Sequence, residues 1–174
     1  LFPYTTLFRS GMVDSTQENL WPHWYRQRVE MLWSTLNLYQ DTGLTMQDKR
    51  ILFRARACLP DLLKDFNDNC VLVHGSFTLR SMLKDARSDQ LLAMVGPGMM
   101  LWAPREYELF RLSDGGQAEQ LLWRYLRRAP VAESFLWRRW LYLLWDEVDN
   151  LVNTGRFDRA RFDLAAKSLL PWLA

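Results

Sequence analysis

Residues 70–112 decide the fold, and they read CVLVHGSFTLRSMLKDARSDQLLAMVGPGMMLWAPREYELFRL. The first four of them, 70–73, are rich in residues that favour β-structure and predict a short strand. His74 and Gly75 follow directly, so one of the two histidines of the chain ends an apolar run. Helical patterns lie on both sides of the stretch. The sequence therefore predicts a mostly helical chain with a functional-looking loop in its middle.

A second β signal follows the loop. Residues 81–84 and 90–95 predict two strands, which the polar turn at residues 85–89 joins into a small hairpin. Pro104 then predicts the start of a short helix, because proline is favoured in a first helical turn. The hairpin and the first strand together form a small β patch beside His74.

Outside this stretch the patterns are helical. Thr45 and Asp48 have the spacing of a capping box and predict the start of one helix, which Pro60 bends or restarts. Before it, apolar residues at steps of three and four predict an amphipathic helix. Its buried face comprises Trp21, Tyr25, Val29, Leu32, Leu36 and Tyr39. After the stretch we predict a helix closed by Pro130, a long helix from about residue 131 to 153, and a last helix. The fold class is α+β and mainly α.

The composition excludes several classes of function. A chain of 174 residues predicts one domain, and 49% hydrophobic with 14% aromatic residues argue against disorder. The formal net charge is +2, so no electrostatic case for nucleic acid or for an anionic membrane follows. The longest uncharged apolar run, residues 91–104, is shorter than the about 20 residues that span a bilayer. We therefore expect no nucleic-acid partner and no membrane partner.

The cysteines and histidines do not predict a metal site. Cys58 and Cys70 lie in apolar settings without metal-ligand spacing, which is typical of reduced thiols in a cytoplasmic protein. A disulfide or a reactive thiol is the less favoured alternative. His23 and His74 lie far apart in the sequence, so we expect no zinc ligand set.

Residues 1–10, LFPYTTLFRS, resemble the translation of a sequencing adapter fused to the reading frame. They do not form a signal peptide, because a basic start is missing and Pro3 and Arg9 interrupt the apolar core. We expect this segment to be non-native and residues 11–174 to be a domain whose natural start is missing.

The order of the segments, the His-Gly loop and the hairpin resemble the C-terminal lobe of the aminoglycoside phosphotransferase and choline kinase superfamily. The resemblance covers residues 12–174 and implies a protein-kinase-like C-lobe with the N-lobe absent. In that family the loop reads His-Gly-Asp, four residues, then Asn. The resemblance implies that the Asp serves the attacking hydroxyl, that the Asn helps to hold Mg²⁺, and that a second Asp on the next strand binds Mg²⁺ across the phosphates.

Carried over to this sequence, the family pattern is changed at three positions. His74 and Gly75 match, but Ser76 stands at the position of the base, Ser81 at that of the Asn and Val95 at that of the second Asp. An unactivated serine hydroxyl is a poor base, and an alkyl side chain cannot coordinate a metal. The resemblance therefore implies a degenerate loop, and we assign no catalytic residue, no cofactor-binding residue and no metal ligand.

A further acid fits a structural position of the family. Residues 104–109, PREYEL, resemble a family segment that reads Asp-Pro-x-Tyr-Asp-Leu, in which the late acid has a structural role. Glu108 stands at that place.

Each of these residues also has an alternative role. His74 is interpreted as a structural imidazole that hydrogen-bonds the backbone, with proton transfer as the alternative. Ser76 as a nucleophile would need a base, and only His74 is nearby in the sequence. Residues 96–98, Gly-Pro-Gly, predict a turn rather than a phosphate cradle, because the spacing and the lysine of a phosphate loop are missing.

Two segments mix arginine with aromatic residues, WRYLRR at 123–128 and WRRW at 137–140. Such a mixture is found in single-strand nucleic-acid binders. Helical periodicity instead predicts a solvated face, with the leucines and some tryptophans in the core and the arginines outside. Nearby acids, among them Glu133, Asp146 and Glu147, reduce the positive charge of that face.

Three hypotheses for the function follow. The first is a phosphotransferase-family protein that is inactive and serves as a binding or regulatory module for a protein or small molecule; it needs no cofactor. The second is an active small-molecule kinase with a non-standard site, which alone would require ATP and Mg²⁺. The third is a structural or interaction protein whose tryptophan-rich cleft takes a partner helix. Because loss of an N-lobe exposes an apolar face, we also expect self-association of the fragment.

Overall fold

A computed structural model describes residues 20–39, 42–64, 66, 69–88, 90–98, 100–113 and 115–173. The predicted adapter-derived segment at residues 1–10 lies outside these residues. The described chain forms two compact units. The helical unit comprises the described residues 20–66 and 134–173, and the loop unit comprises those from 69 to 133. The helical unit is thus built from two segments that are distant in sequence.

The helical unit contains α1 (Leu20–Leu36), α2 (Met46–Ala57), the short α3 (Leu59–Leu62), α6 (Phe135–Thr154) and α7 (Arg159–Leu169), followed by a 3₁₀ turn, Leu170–Trp172. Helix α6 packs against both α7 and α1. An ion pair of 2.6 Å between Arg28 of α1 and Asp149 of α6 joins the two segments. The Trp21 Nε1–H also donates to the Tyr142 hydroxyl at 3.4 Å. Buried aliphatic and aromatic side chains, together with a few polar contacts, therefore hold this unit together.

Local sequence signals set the ends of these helices. The Thr45 hydroxyl accepts from the backbone N–H of Asp48, and the Asp48 carboxylate accepts from the N–H of Thr45, which confirms the predicted capping box. Pro60 lies in the first turn of α3, so the predicted restart is also confirmed. Helix α6 ends at Gly155, whose φ of 69° is the left-handed conformation that glycine adopts most readily.

The loop unit contains β1 (Cys70–Val73), β2 (Met82–Lys84), β3 (Leu91–Met94), β4 (Leu101–Pro104), α4 (Glu106–Leu109) and α5 (Gly116–Arg128), with 3₁₀ turns at Leu79–Ser81 and Phe110–Leu112. Strands β2 and β3 pair antiparallel and confirm the predicted hairpin. Strand β1 pairs antiparallel with β4, with Leu72 opposite Trp102. The described β-structure is therefore two small two-stranded sheets.

Several predictions about the elements were wrong in detail. Residues 101–104 form strand β4, whereas the sequence predicted that Pro104 begins a helix; the helix α4 starts two residues later. Helix α1 ends at Leu36, so Tyr39, predicted for the buried face, is half exposed. The five earlier members of that face are all buried, as predicted. Helix α6 begins at Phe135 and not near residue 131.

The arginines of the two Arg-aromatic segments differ in their exposure to solvent. Arg124, Arg127 and Arg128 on α5 are exposed, as predicted. Arg138 on α6 is 1% exposed, so its predicted place outside the core is wrong, and Arg139 beside it is buried as well. The Arg138 guanidinium lies over the ring of Phe66 at 5.1 Å and over that of Trp137 at 5.3 Å. Aromatic faces attract the cation and replace part of its water, which lowers the cost of burying it.

None of the described helices combines the length and the apolar character that crossing a membrane requires.

Candidate functional site

The candidate site lies in the loop unit, where the chain leaves strand β1. His74 follows the strand, and Gly75 turns the backbone with a φ of 76°. The His74 carbonyl oxygen accepts a hydrogen bond from the N–H of Gly98 at 3.0 Å. The loop at residues 74–76 is thereby fixed to the segment that follows strand β3.

Gly98 approaches this loop very closely. A Cβ atom at Gly98 would lie 2.5 Å from the Gly75 carbonyl oxygen and 3.0 Å from the Cβ of Ser76. Only glycine fits at such a distance. The sequence predicted only a turn at residues 96–98, and it gave no indication of this contact, because the contact joins backbone atoms of two loops.

Glu108 of helix α4 holds the loop from the other side. Its Oε2 accepts from the N–H of Gly75 at 2.8 Å, and its Oε1 accepts from the N–H of Phe77 at 2.9 Å. Each carboxylate oxygen therefore takes one backbone donor of the loop, on the two sides of Ser76. The structural role predicted for Glu108 agrees with this geometry.

Ser81 and Val95 are brought together by the hairpin. The N–H of Val95 donates to the carbonyl oxygen of Ser81 at 2.8 Å. The Ser81 hydroxyl donates to the carbonyl oxygen of Thr78 at 2.7 Å and accepts from the N–H of Thr78 at 3.1 Å. This buried hydroxyl thus caps the 3₁₀ turn Leu79–Ser81, and Thr78 satisfies it both as a donor and as an acceptor.

Within the described chain, the side chains of Ser76 and His74 do not make the hydrogen bonds that the roles considered for them require. The half-buried Ser76 makes no hydrogen bond from its hydroxyl to a described residue, so no base activates it there. Both ring nitrogens of His74 are buried and have no hydrogen-bond partner among the described residues. The expected imidazole–backbone hydrogen bond is therefore wrong for the described chain. The main chain of His74, and not its ring, fixes the loop.

The described residues at this site do not fit Mg²⁺. This cation binds oxygen ligands in octahedral geometry, above all carboxylates. Both carboxylate oxygens of Glu108 accept hydrogen bonds from the loop backbone, and the Ser81 hydroxyl is hydrogen-bonded to the backbone of Thr78. The side chain of Val95 contains no oxygen. The Oδ1 of Asp85 accepts from the N–H groups of Arg87 and Ser88, each at 2.8 Å, inside the hairpin turn. Among the described residues, no three His, Cys, Asp or Glu side chains are grouped as a metal site would need.

The chain is similar to proteins of enteric bacteria. It is 77% identical over 164 residues to the uncharacterised protein YcbJ of Escherichia coli K12, and equally to YcbJ of Escherichia coli O157:H7 and of Shigella flexneri. The matched residues are 94% of this chain and 55% of each relative. The chain therefore spans about half the length of the curated relatives that it matches. No family model matches it.

Part of a solved structure has a similar fold. A candidate fructosamine-3-kinase from Thermobifida fusca superposes with a TM-score of 0.65, covering 91% of this chain and 54% of that protein at 20% sequence identity. This likeness shows a kinase-like fold, in agreement with the fold that the sequence predicted.

Proposed function

We propose that this chain is part of a phosphotransferase-like protein that has lost phosphoryl transfer and serves as a binding or regulatory module. The observation that carries the proposal is that the polar side chains at the loop hydrogen-bond the backbone. The Glu108 carboxylate and the Ser81 hydroxyl, which lie at or beside family positions, are both committed to backbone hydrogen bonds. They stabilise the loop, and the described residues offer no group of carboxylates there that could hold a metal ion.

The chemistry of phosphoryl transfer explains why this matters. Catalysis consists mostly of positioning and of neutralising charge on the phosphates by metal ions. Ser76 in place of an Asp removes the group that accepts or orients the hydroxyl. Val95 in place of an Asp puts an alkyl group where the metal charge would be held. The two changes together act on the nucleophile and on the metal, so one compensating residue would not restore activity.

The retained fold supports a binding role. The hydrogen bonds of Glu108, Ser81 and Gly98 keep the loop ordered although it has no catalytic acid. We propose that the module recognises a protein or a small molecule without ATP or Mg²⁺. A cytoplasmic location is part of this proposal and is supported by Cys58 and Cys70, which no disulfide joins.

Calorimetry with ATP and MgCl₂ tests the proposal. The protein should be a full-length chimera in which this chain replaces the matched residues of Escherichia coli YcbJ, because the chain spans only 55% of that relative. We expect no Mg²⁺-dependent heat of binding. We expect the restored variant Ser76→Asp, Ser81→Asn, Val95→Asp to gain Mg²⁺-dependent binding.

The control is Leu91→Asp, which adds a carboxylate to exposed strand β3 of the same hairpin without touching the loop. It should gain nothing. Binding of ATP with Mg²⁺ by the unmodified chimera would overturn the proposal, since it would require a metal ligand outside the positions described here. A melting curve for each variant checks that the loop still folds, because Ser81→Asn also removes the 3₁₀ cap.

A further inference from the structure

The outer face of helix α2 carries two apolar and two basic residues in one row. Met46, Lys49, Arg50 and Phe53 have the spacing i, i+3, i+4 and i+7, which places them on the same side of a helix. Met46 is 70% exposed and Phe53 is 55% exposed. Together with Arg54 they line an open groove of about 300 Å³. We refer to these five residues as the α2 groove.

The charge of the α2 groove is positive, and no ion pair with a described residue balances it. Lys49 and Arg50 form no ion pair with any described residue. The acid of the helix, Asp48, faces inward, is buried, and pairs with Arg159 at 2.9 Å. The nearby Arg56 is neutralised by Glu30 at 2.7 Å. Two cations that have no ion-pair partner among the described residues therefore lie between two exposed apolar side chains.

Neighbouring side chains hold the apolar end of the groove in place. The ring of Phe53 contacts that of Trp33 with centroids 6.3 Å apart. The Arg56 guanidinium lies 5.7 Å from the Trp33 centroid, and its bond to Glu30 fixes it there. Phe53 is thus backed by a cluster that does not depend on a ligand. Preformed aromatic anchors lower the entropy that binding would lose.

We infer that the α2 groove binds an acidic segment of another protein, with one apolar side chain entering between Met46 and Phe53. Carboxylates of that segment would pair with Lys49 and Arg50. Aromatic residues, methionine and arginine are enriched where proteins bind each other, which is the composition of this groove. A membrane surface is disfavoured, because the cations lie in the middle of the row, where Met46 and Phe53 would have to insert. The inference does not rest on the inactivity of the loop.

Fluorescence anisotropy with defined peptides tests the inference on the whole chain. The probe is a labelled short peptide in which glutamates flank a Leu-Phe pair; companions have Gly-Ser in place of Leu-Phe, or lysines in place of the glutamates. We expect binding of the first peptide only, weakened by added salt because exposed charges are screened. Arg50→Glu and Phe53→Ala should each weaken binding about ten-fold.

Matched control variants distinguish binding at the α2 groove from a general effect of surface charge or of exposed apolar side chains. Arg124→Glu makes the same charge change on exposed α5, and Leu164→Ala truncates an exposed apolar residue of α7. Neither should change the affinity. Equal loss with Arg124→Glu, or equal binding of the Gly-Ser peptide, would overturn the inference. Binding to phosphatidylserine vesicles but not to the peptide would overturn it in favour of a membrane.

Discussion

Gly98 and Gly75 pack backbone against backbone, and their contact leaves no room for a side chain at Gly98. Since a Cβ there would lie 2.5 Å from the Gly75 carbonyl oxygen, Gly98→Ala must displace one of the two loops. Overpacking of this kind destabilises by about 1–3 kcal/mol. Urea unfolding should show that loss, and hydrogen exchange should be faster at the Gly98 amide, which donates to His74.

Gly96→Asn serves as the control two residues away. Gly96 has a φ of 64° and open space around its α-carbon, and asparagine tolerates that conformation. A loss of stability as large as that of Gly98→Ala would mean that the whole turn, and not the contact with Gly75, is sensitive.

Glu108→Gln tests the support of the loop. An amide side chain offers one oxygen and one NH₂ group, so one of the N–H groups of Gly75 and Phe77 would lose its acceptor and face another donor. We expect a loss of about 1–3 kcal/mol and faster hydrogen exchange at one of these two amides. Glu133→Gln, at an exposed position of the same unit, should change neither quantity.

Asp48→Asn tests the cap of α2 and its dependence on pH. Burial opposes ionisation of Asp48, but hydrogen bonds from Thr45 and from Arg159 outweigh it and hold the pKa of Asp48 below its usual value. The carboxylate therefore contributes stability that is present above the unfolded pKa of about 3.9 and is lost as the pH falls through the lower folded pKa. The Asn variant should be less stable near pH 7, by about 1 kcal/mol, and the difference should shrink at acidic pH. A difference that stays constant from pH 7 to pH 2 would contradict the assignment.

Glu147→Gln should behave in the opposite way. Burial is the main cause that raises the pKa of Glu147, and it prevails over the hydrogen bond from the Asp158 N–H and the charge of Arg161. The folded state then holds the proton more tightly than the unfolded state. Stability falls as the pH rises from the unfolded pKa, about 4.3, through the raised folded pKa. The Gln variant should lack this fall and gain relative to the parent as the pH rises, because Asp146, 3.8 Å from Arg161, still balances that cation. Unfolding curves at several pH values measure the difference, and a relative loss with rising pH would be the contrary result.

Strand β3 is expected to drive self-association of the chain. All four residues of Leu91–Met94 are apolar and exposed, and the strand pairs on one side only among the described strands. Uncovered apolar edge strands pair with other chains, and a lysine on the strand prevents this. Leu92→Lys should lower the average mass measured by light scattering at high concentration. Leu164→Lys on α7 should leave that mass unchanged.

Much of this fold could be predicted because its signals are local. The capping box needs only Thr45 and Asp48, and the buried face of α1 is set by helical spacing. Strand β4 could not be predicted in this way, since Leu101–Pro104 is stabilised by pairing with β1, about thirty residues earlier in the chain. A terminal proline and the preceding Gly-Pro-Gly further weakened its strand pattern.

The sequence could propose positions for the candidate site, but it could not predict the contacts that the residues there make. The family pattern proposes which groups are replaced at His74, Ser76, Ser81 and Val95, and that assignment stays a prediction. The pattern could not predict that Ser81 caps its own turn or that the His74 ring has no hydrogen-bond partner among the described residues. Arg138 illustrates the same limit: helical periodicity places it outside, but Phe66, from a distant segment, lies against its guanidinium and buries it.

The division of the helical unit into two sequence segments has a consequence during synthesis. Trp21 hydrogen-bonds Tyr142, and Arg28 hydrogen-bonds Asp149. The two residues of each pair are 121 positions apart in the sequence. At about 5–20 residues per second, the ribosome needs roughly 6–24 s to make that interval. Until then the aromatic face of α1 has no partner from α6. The nascent chain is therefore expected to need a ribosome-bound chaperone through this delay, and slowing translation between residues 67 and 134 should lower its soluble yield.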